Sequence, residues 1–195
     1  MTTVFVTVGT TRFDELIESV TSSEVTQILK ARGYGRLVLQ VGRGTLVPDA
    51  DSCADLSVEA FRFKDSIAED MRRADLVISH AGAGSCLEAL SAGKPLLVVV
   101  NDKLMDNHQL ELARQLHMDH HLLYCTCSTL TQTLKSMDLS VLQPFPPGQP
   151  KNFANFLDKA LGQGQGSWSE LMGRRIELNT ILLEAAEEVL LPAGR

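Results

Sequence analysis

Apolar residues along this chain fall into short runs, separated by segments in which apolar positions recur with helical spacing. Six runs, most of them rich in β-branched residues, are typical of strands buried within a parallel sheet. They cover 4–8, 36–41, 58–63, 76–78, 96–100 and 122–125. Helices are predicted over 14–20, 24–31, 67–73, 85–92, from 107 onward and over 130–137. This alternation predicts an α/β fold with a doubly wound, Rossmann-like parallel sheet.

Residues suited to turns stand directly after five of the predicted strands: Gly9, Gly42, Lys64, Gly82 and Asn101. The carboxyl ends of parallel strands meet at one edge of a sheet, so these turns are expected to share one rim. Ligands of doubly wound sheets bind outside that edge, where the order of the strands reverses. The sequence therefore places the binding site on this rim.

The segment over 75–109 carries the most specific chemical signal. A buried strand reaches His80 and is followed by a turn with two glycines, which let the backbone approach a ligand closely. Ser85 precedes Glu88 by three residues, the spacing of a capping box at a helix N-terminus. Free backbone N–H groups converge there with the positive end of the helix dipole. We therefore expect a diphosphate to bind at this point.

Composition narrows the class of protein. The 195 residues are enough for one domain, and the net charge of -6 without any Lys/Arg cluster argues against a partner that is a nucleic acid. The four cysteines lack the paired spacing of a metal site, so we interpret them as reduced structural thiols. No apolar run approaches the roughly 20 residues that span a bilayer, and the N-terminus lacks a signal peptide's basic region. We expect any membrane role to depend on a partner.

The chain divides into three predicted parts. Residues 1–143 form the Rossmann-like domain, which contains all six predicted strands. Residues 144–162 combine a proline-rich linker with a short amphipathic helix over 152–161, the predicted docking element for a partner. Residues 163–195 begin with a glycine spacer and continue as an amphipathic helical pattern. This last part docks on the domain, binds a partner or is foreign to the natural chain, and the sequence leaves the three alternatives open.

A dinucleotide is the commonest ligand of a glycine turn in such a sheet, but the sequence argues against it. A dehydrogenase has G-x-G-x-x-G after its first strand and an acidic residue at the end of its second. Here the first turn reads Gly9-Thr10-Thr11, and Gln40 closes the second strand. The lysine motif of P-loop nucleotide-binding proteins is missing as well. These two classes are therefore excluded.

A more particular pattern, H-x-G-x-x-S-x-x-E, runs from His80 to Glu88 and is followed by G-x-P at 93–95 and by N-H-Q at 107–109. It resembles the donor-binding half of GT-B glycosyltransferases that use UDP-sugars. Within that group the stretches VFVTVGTT, QVGRGT, FKDS, ADLVISHAGAGSCLE and NHQLELA are most similar to lipid-linked N-acetylglucosaminyltransferases of bacterial and eukaryotic type. The resemblance covers residues 3–161 and implies a single GT-B donor-binding domain.

By position, the resemblance implies twelve donor-binding residues: Gly9, Thr10, Lys64, His80, Gly82, Ala83, Gly84, Ser85, Glu88, Asn107, His108 and Gln109. Backbone N–H groups over 82–85 would bind the UDP diphosphate, with the first glycine turn lining its other side. His80 matches a position that helps to contain the phosphates. Three of these positions also have a structural alternative: His80 as a satisfied structural histidine, and Gly82 and Gly84 as turn residues.

The remaining positions are implied to read the base and the sugars. Glu88 would bond the ribose hydroxyls, although it could simply close the capping box. Lys64 stands where the backbone reads the uracil edge. The segment 107–109 matches the part that reads the sugar hydroxyls, although Asn107 could also be no more than a helix N-cap. The bacterial enzyme has two glutamines in that segment, so the individual contacts of this chain stay open.

The resemblance also implies the reaction. GlcNAc would pass with inversion from UDP-GlcNAc to the 4-hydroxyl of dolichol diphosphate-GlcNAc, an early step of N-glycan precursor synthesis, with no cofactor or bound metal. His108 is the candidate general base, although it matches a sugar-binding position. Asp49-x-Asp51 imitates a metal-binding motif of other glycosyltransferases, but it lies in an acidic loop without a flanking strand.

The acceptor side of the bacterial relative belongs to a second domain, for which this chain has no room. We expect a separate, membrane-anchored subunit to bind the dolichol-linked acceptor and to hold this chain at the cytoplasmic face of the endoplasmic reticulum. Two other functions remain: a non-catalytic nucleotide-sugar-binding or regulatory subunit, and a UDP-sugar epimerase. An epimerase needs both domains in one chain and acid–base residues of its own, and neither is visible.

Overall fold

The computed structural model describes residues 1–103 and 107–145 and contains a parallel six-stranded sheet. Its strands, in chain order β1 to β6, are Thr3–Thr7, Arg36–Gln40, Ser57–Phe61, Leu76–His80, Leu96–Val100 and Leu123–Thr126. In space the order is β3-β2-β1-β4-β5-β6, and every neighbouring pair is parallel. The predicted doubly wound α/β fold is confirmed.

Six α-helices connect and follow the strands: α1 Asp14–Thr21, α2 Ser23–Ala31, α3 Ala68–Arg73, α4 Ala83–Ser91, α5 Asn107–Met118 and α6 Leu130–Ser136. All of them were expected, and most boundaries agree within two residues. The Ser22 side chain caps α2 by accepting a bond from the Val25 N–H at 3.3 Å, which fixes the break between α1 and α2.

The helices form two layers around the sheet. Helices α1, α2 and α6 pack on one face, where Val4, Val6 and Val8 meet Leu16 and Leu134 in a fully buried core. The alternate strand positions point to the other face, which α4 and α5 cover. Strands β1, β2, β4 and β5 are buried on both faces and therefore read as nearly continuous apolar runs, whereas the edge strand β3 exposes Ser57 and Glu59.

The strand order reverses between β1 and β4. These two strands pair directly, with Thr7 opposite Ser79 in the last register position before the rim. The chain leaves β1 toward one layer of helices and leaves β4 toward the other. The loops after the two strands therefore diverge and leave a crevice at their carboxyl ends, where doubly wound sheets bind ligands.

Several predicted segments lie outside the described residues. The linker over 144–150 is described only at Pro144 and Phe145, and both the helix over 152–161 and the segment over 163–195 fall beyond that point. Their predicted roles stay predictions. Within the described ranges, no helix combines the length and the apolar character that crossing a membrane requires.

Candidate functional site

The glycine turn after β1 lies against the start of α4. Gly9 has φ +62, a left-handed conformation that glycine adopts without strain. A Cβ at this position would stand 2.9 Å from Cε1 of His80 and 3.7 Å from Oγ of Ser85. Three residues predicted to share the site, far apart in the chain, are therefore neighbours across the β1–β4 crevice.

The imidazole of His80 also packs against the turn after its own strand. A Cβ at Gly82 would lie only 2.7 Å from Cε1 of His80 and within contact distance of Nε2 as well. Gly82 has φ -79 and ψ 126, so its backbone would tolerate any residue. Space, rather than conformation, explains this glycine: the ring of His80 fills the crevice between Gly9 and Gly82.

The prediction of a capping box at Ser85 and Glu88 is wrong. The N-cap of α4 is Gly82, the helix begins at Ala83, and no side-chain hydrogen bond caps this end. Ser85 is thus the third helical residue, and Glu88 lies a turn further into the helix. The helix starts early because Gly82 supplies the extended backbone of an N-cap without a side chain. The first-turn N–H groups over 83–85 have no acceptor within the helix and point to the rim.

Glu88 lies in the second turn of α4 and is not among the residues buried against the sheet. Cys86, Ala89 and Leu90 are buried toward the sheet, while Glu88 is partly exposed. Helical side chains tilt toward the N-terminus, so a residue three positions after Ser85 extends back toward the rim. The tip of α4 thus presents backbone N–H groups, and the bond from Glu88 to the ribose hydroxyls stays a prediction.

The sequence did not single out one feature of α4, the buried thiol of Cys86. Burial raises the pKa of Cys86 to about 12. The thiol stays protonated at neutral pH although it lies in the first turn of a helix. All four cysteines are free, and Cys86 is a packing residue, as the composition predicted.

Lys64 lies at the other end of the rim, after β3. Its Nζ bonds both oxygens of Asp70, at 2.8 and 3.0 Å, and lies 4.0 Å from the centre of the Phe61 ring. The side chain is thereby turned to α3, which is consistent with a role for the backbone alone. Next to it, Phe63 is 51% exposed, an aromatic residue at the rim that the sequence interpretation did not select.

The start of α5 completes the rim on the opposite side. Helix α5 begins at Asn107, after β5, as expected. The side chains over 107–109 lie outside what the structure describes, so the sugar contacts of Asn107 and Gln109 and the role of His108 as a base stay predictions. The backbone nevertheless places this segment beside α4, because β4 and β5 are adjacent in the sheet.

The loop after β2, for which no ligand contact is predicted, supports the first glycine turn. The N–H of Arg43 donates to the Thr11 carbonyl at 3.0 Å. Asp14, the first residue of α1, accepts bonds from Thr45 N–H at 3.0 Å, from Thr45 Oγ1 at 2.9 Å and from Leu46 N–H at 3.4 Å. One carboxylate therefore fastens the loop after β2 to the helix after β1.

The contribution of Asp14 to the stability of the folded state is expected to depend on pH. Burial acts to raise its pKa, but hydrogen bonds from Thr45, Leu46 and Arg12 outweigh burial and hold the pKa below the ordinary 3.8. A carboxyl group whose pKa is lowered by folding stabilises the folded state fully above pH 3.8. This stabilisation is lost as the pH falls through the pKa of the folded state. In urea unfolding from pH 7 to pH 3, we expect the stability lost in Asp14→Asn to shrink toward the acid end. The exposed control Asp51→Asn should show little effect, and a loss in Asp14→Asn that is the same at every pH would contradict this assignment.

A groove of about 390 Å³ lies beside α3 and strands β1 to β3, and Lys64 is one of its lining residues. It is lined by charged side chains, and these pair with one another: Arg36 with Glu59, Lys64 with Asp70, and Arg73 with Glu69. The groove thus balances its own charge. The rim differs because its donors are the backbone groups at the tip of α4.

The acidic motif at 49–51 closes its own loop. Oδ1 of Asp49 accepts bonds from the N–H of Asp51 at 3.2 Å and from Oγ of Ser52 at 2.9 Å. Across residues 1–103 and 107–145, no group of three or more His, Cys, Asp or Glu side chains is arranged to hold a metal ion. The local bonds give Asp49 a structural role as a turn-forming residue.

Comparison with known proteins agrees with this geometry. The family described as glycosyltransferase family 28 C-terminal domain matches residues 3–160. The UDP-N-acetylglucosamine transferase subunit ALG13 of Homo sapiens is 60% identical over 131 residues, which are 67% of this chain and 12% of that protein. The chain thus spans only 12% of the length of this relative.

Two solved structures show the same fold. A solution NMR structure of ALG13 superposes with a TM-score of 0.63 at 30% identity, over 80% of this chain and 94% of that one. The crystal structure of MurG from Acinetobacter baumannii has a TM-score of 0.57 at 21% identity, over 80% of this chain and 49% of that one. MurG is too distant in sequence to indicate more than the fold.

Proposed function

This chain belongs to the glycosyltransferase family 28 C-terminal domain family, and from that membership we propose that it binds UDP-GlcNAc as the donor half of an inverting glycosyltransferase. The human relative carries UDP-N-acetylglucosamine in its name, which supports this donor. We propose dolichol diphosphate-GlcNAc as the acceptor and a β-1,4 linkage as the product.

The observation that carries the proposal is the order in which the predicted donor-binding residues follow one another along the rim of the sheet. Lys64 follows β3, Gly9 and Gly82 flank the β1–β4 crevice, and α5 begins after β5. A nucleotide sugar laid across this rim would place uracil by Lys64, the diphosphate at the tip of α4 and the sugar toward Asn107. The exposed ring of Phe63 offers a stacking surface for the base.

The chemistry follows from the tip of α4. The acceptor hydroxyl attacks the anomeric carbon, the bond from that carbon to the β-phosphate oxygen breaks, and its electron pair leaves with UDP. Backbone N–H groups of Ala83, Gly84 and Ser85, together with the helix dipole, stabilise the charge that develops on the leaving diphosphate. We expect transfer to need no cofactor for this reason. The hydroxyl proton passes to a general base, for which His108 is the candidate on this chain.

The acceptor side needs a second protein. The relative is named as a subunit, which supports the existence of a partner. We propose that the partner is membrane-anchored, binds the dolichol-linked acceptor and holds this chain at the cytoplasmic face of the endoplasmic reticulum. The helix predicted over 152–161 is the proposed docking element.

The isolated chain tests this division of labour. We expect calorimetric titration to show binding of UDP and UDP-GlcNAc but not of NAD, because the proposed diphosphate site lacks the acidic residue after the second strand that reads an NAD ribose. Incubation with UDP-GlcNAc and a short-chain dolichol diphosphate-GlcNAc analogue should yield no disaccharide until the partner is added. Robust transfer by the chain alone would refute the split enzyme, and failure to bind UDP would refute the donor site.

A further inference from the structure

Three buried polar side chains form a row directly beneath the rim. Gln40, Thr7 and Ser79 occupy paired positions in β2, β1 and β4, with Thr7 opposite both of the others. Thr7 and Ser79 are fully buried, and Gln40 is 5% exposed. Polar side chains are costly in a sheet interior unless each forms a hydrogen bond, so a row of three at one level calls for a reason.

The middle residue of the row, Thr7, and one end residue, Ser79, each bond to the backbone beside the glycine crevice. Oγ1 of Thr7 donates to Oε1 of Gln40 at 2.6 Å and accepts the N–H of Gly9 at 2.9 Å. Oγ of Ser79 donates to the carbonyl of His80 at 2.8 Å. The row thus bonds to the backbone of Gly9 and of His80, the two residues that meet across the β1–β4 crevice.

The hydroxyl of Thr7 has a defined direction. A hydroxyl donates one proton and accepts through its lone pairs, so the bond to Gln40 fixes the proton and turns a lone pair to the Gly9 N–H. That bond holds Gly9 at φ +62, with its α-carbon close to the ring of His80. The N–H of Gly9 is consequently used inside the protein, and the first turn shapes the crevice without donating this N–H to a ligand.

We propose that Thr7 is a positioning residue of the donor site, with Gln40 as its orienting partner. Thr7 acts through Gly9: it holds Gly9 against the His80 ring, which packs on Gly82 at the tip of α4, where the diphosphate is proposed to bind. The inference rests on the proposed function, since it presumes that UDP binds at this rim. Nothing in its geometry requires Thr7 to touch the ligand.

The test compares two threonine substitutions in the full chain. Thr7→Val keeps the shape of the side chain but removes its donor and its acceptor, leaving the Gly9 N–H and Gln40 Oε1 without this bond. Thr26 in α2 is 1% exposed, and its hydroxyl bonds to the carbonyls of Ser22 and Ser23 rather than to the glycine turn, so Thr26→Val is a matched control. We expect calorimetry to give UDP binding about tenfold or more weaker for Thr7→Val, because small misplacements of positioning groups cost that much. Thr26→Val should bind as the wild type does.

Two further variants separate positioning from general weakening of the fold. Thr7→Ser keeps the hydroxyl, so its UDP affinity should return to within about twofold of the wild type. Gln40→Met removes only the orienting acceptor, so it should weaken UDP binding by a smaller factor than Thr7→Val does. The Gln40→Met variant keeps the test available if Thr7→Val does not fold. Wild-type UDP affinity in Gln40→Met, or in folded Thr7→Val, would overturn the inference and leave the donor site standing. A wild-type chain that does not bind UDP would overturn both.

Discussion

Replacing Gly82 by alanine should reduce GlcNAc transfer by the assembled enzyme about a hundredfold. The new methyl group would meet the His80 ring, whose Cε1 lies 2.7 Å from the ideal Cβ position. The ring must swing away or the tip of α4 must shift, and either movement disturbs the N–H groups proposed to hold the diphosphate. Displacements near 1 Å at a reacting centre cost about 10²-fold in rate. The measurement is kcat/KM for UDP-GlcNAc with saturating acceptor.

Stability is expected to change far less, since Gly82 has an ordinary backbone conformation and a side chain can move. Gly35→Ala is a suitable control, because the added methyl there meets Cγ of the flexible Met1 side chain at 2.9 Å. A second check is the double variant with His80→Ala: if the ring is what the methyl meets, the two effects will not add. Near-normal activity of Gly82→Ala would argue against any function for this crevice.

Glu88→Gln should weaken the use of UDP-GlcNAc roughly ten- to a hundredfold in kcat/KM. The glutamine keeps the shape and the helix but loses the charge that strengthens hydrogen bonds to the ribose hydroxyls, worth about 1.5–3 kcal/mol. The loss should appear in the KM for UDP-GlcNAc and in calorimetric binding to the isolated chain.

Glu18→Gln, on the exposed side of α1, controls for the change of charge. The same experiment addresses the non-catalytic alternative, in which this chain binds a nucleotide sugar only to regulate its partner. In that case the pair assembled with Glu88→Gln would still transfer GlcNAc at donor concentrations that saturate the wild-type chain but leave the variant chain largely unoccupied. Transfer that follows donor occupancy of this chain supports the catalytic assignment.

The central strands were predictable from sequence because they are buried on both faces. Leu96–Val100, for example, is a continuous apolar run that no surface element would tolerate, and its predicted and observed limits coincide. Parallel order followed from the alternation with helices. The positions of the glycine turns on one rim then followed from the parallel order alone.

The start of α4 was less predictable, because S-x-x-E suits a capping box as well as two positions inside a helix. Local sequence could not choose between them, and the choice rests on Gly82, whose packing against His80 became visible only in three dimensions. The hydrogen bond between Gln40 and Thr7 was even less predictable from the sequence. It joins residues 33 positions apart and depends on the register of β1 and β2, which no pattern within either strand specifies.

The pairing of β1 with β4 has a consequence for folding. The two sides of the crevice come from residues near 9 and near 82, so the donor site does not exist until a chain segment of that separation has closed. Loops of this length close late and slow the folding of parallel sheets. A donor that bridges both sides binds only the completed domain and shifts the folding equilibrium toward it. The proposed donor would therefore raise the free energy of unfolding of this domain as its concentration rises above the dissociation constant.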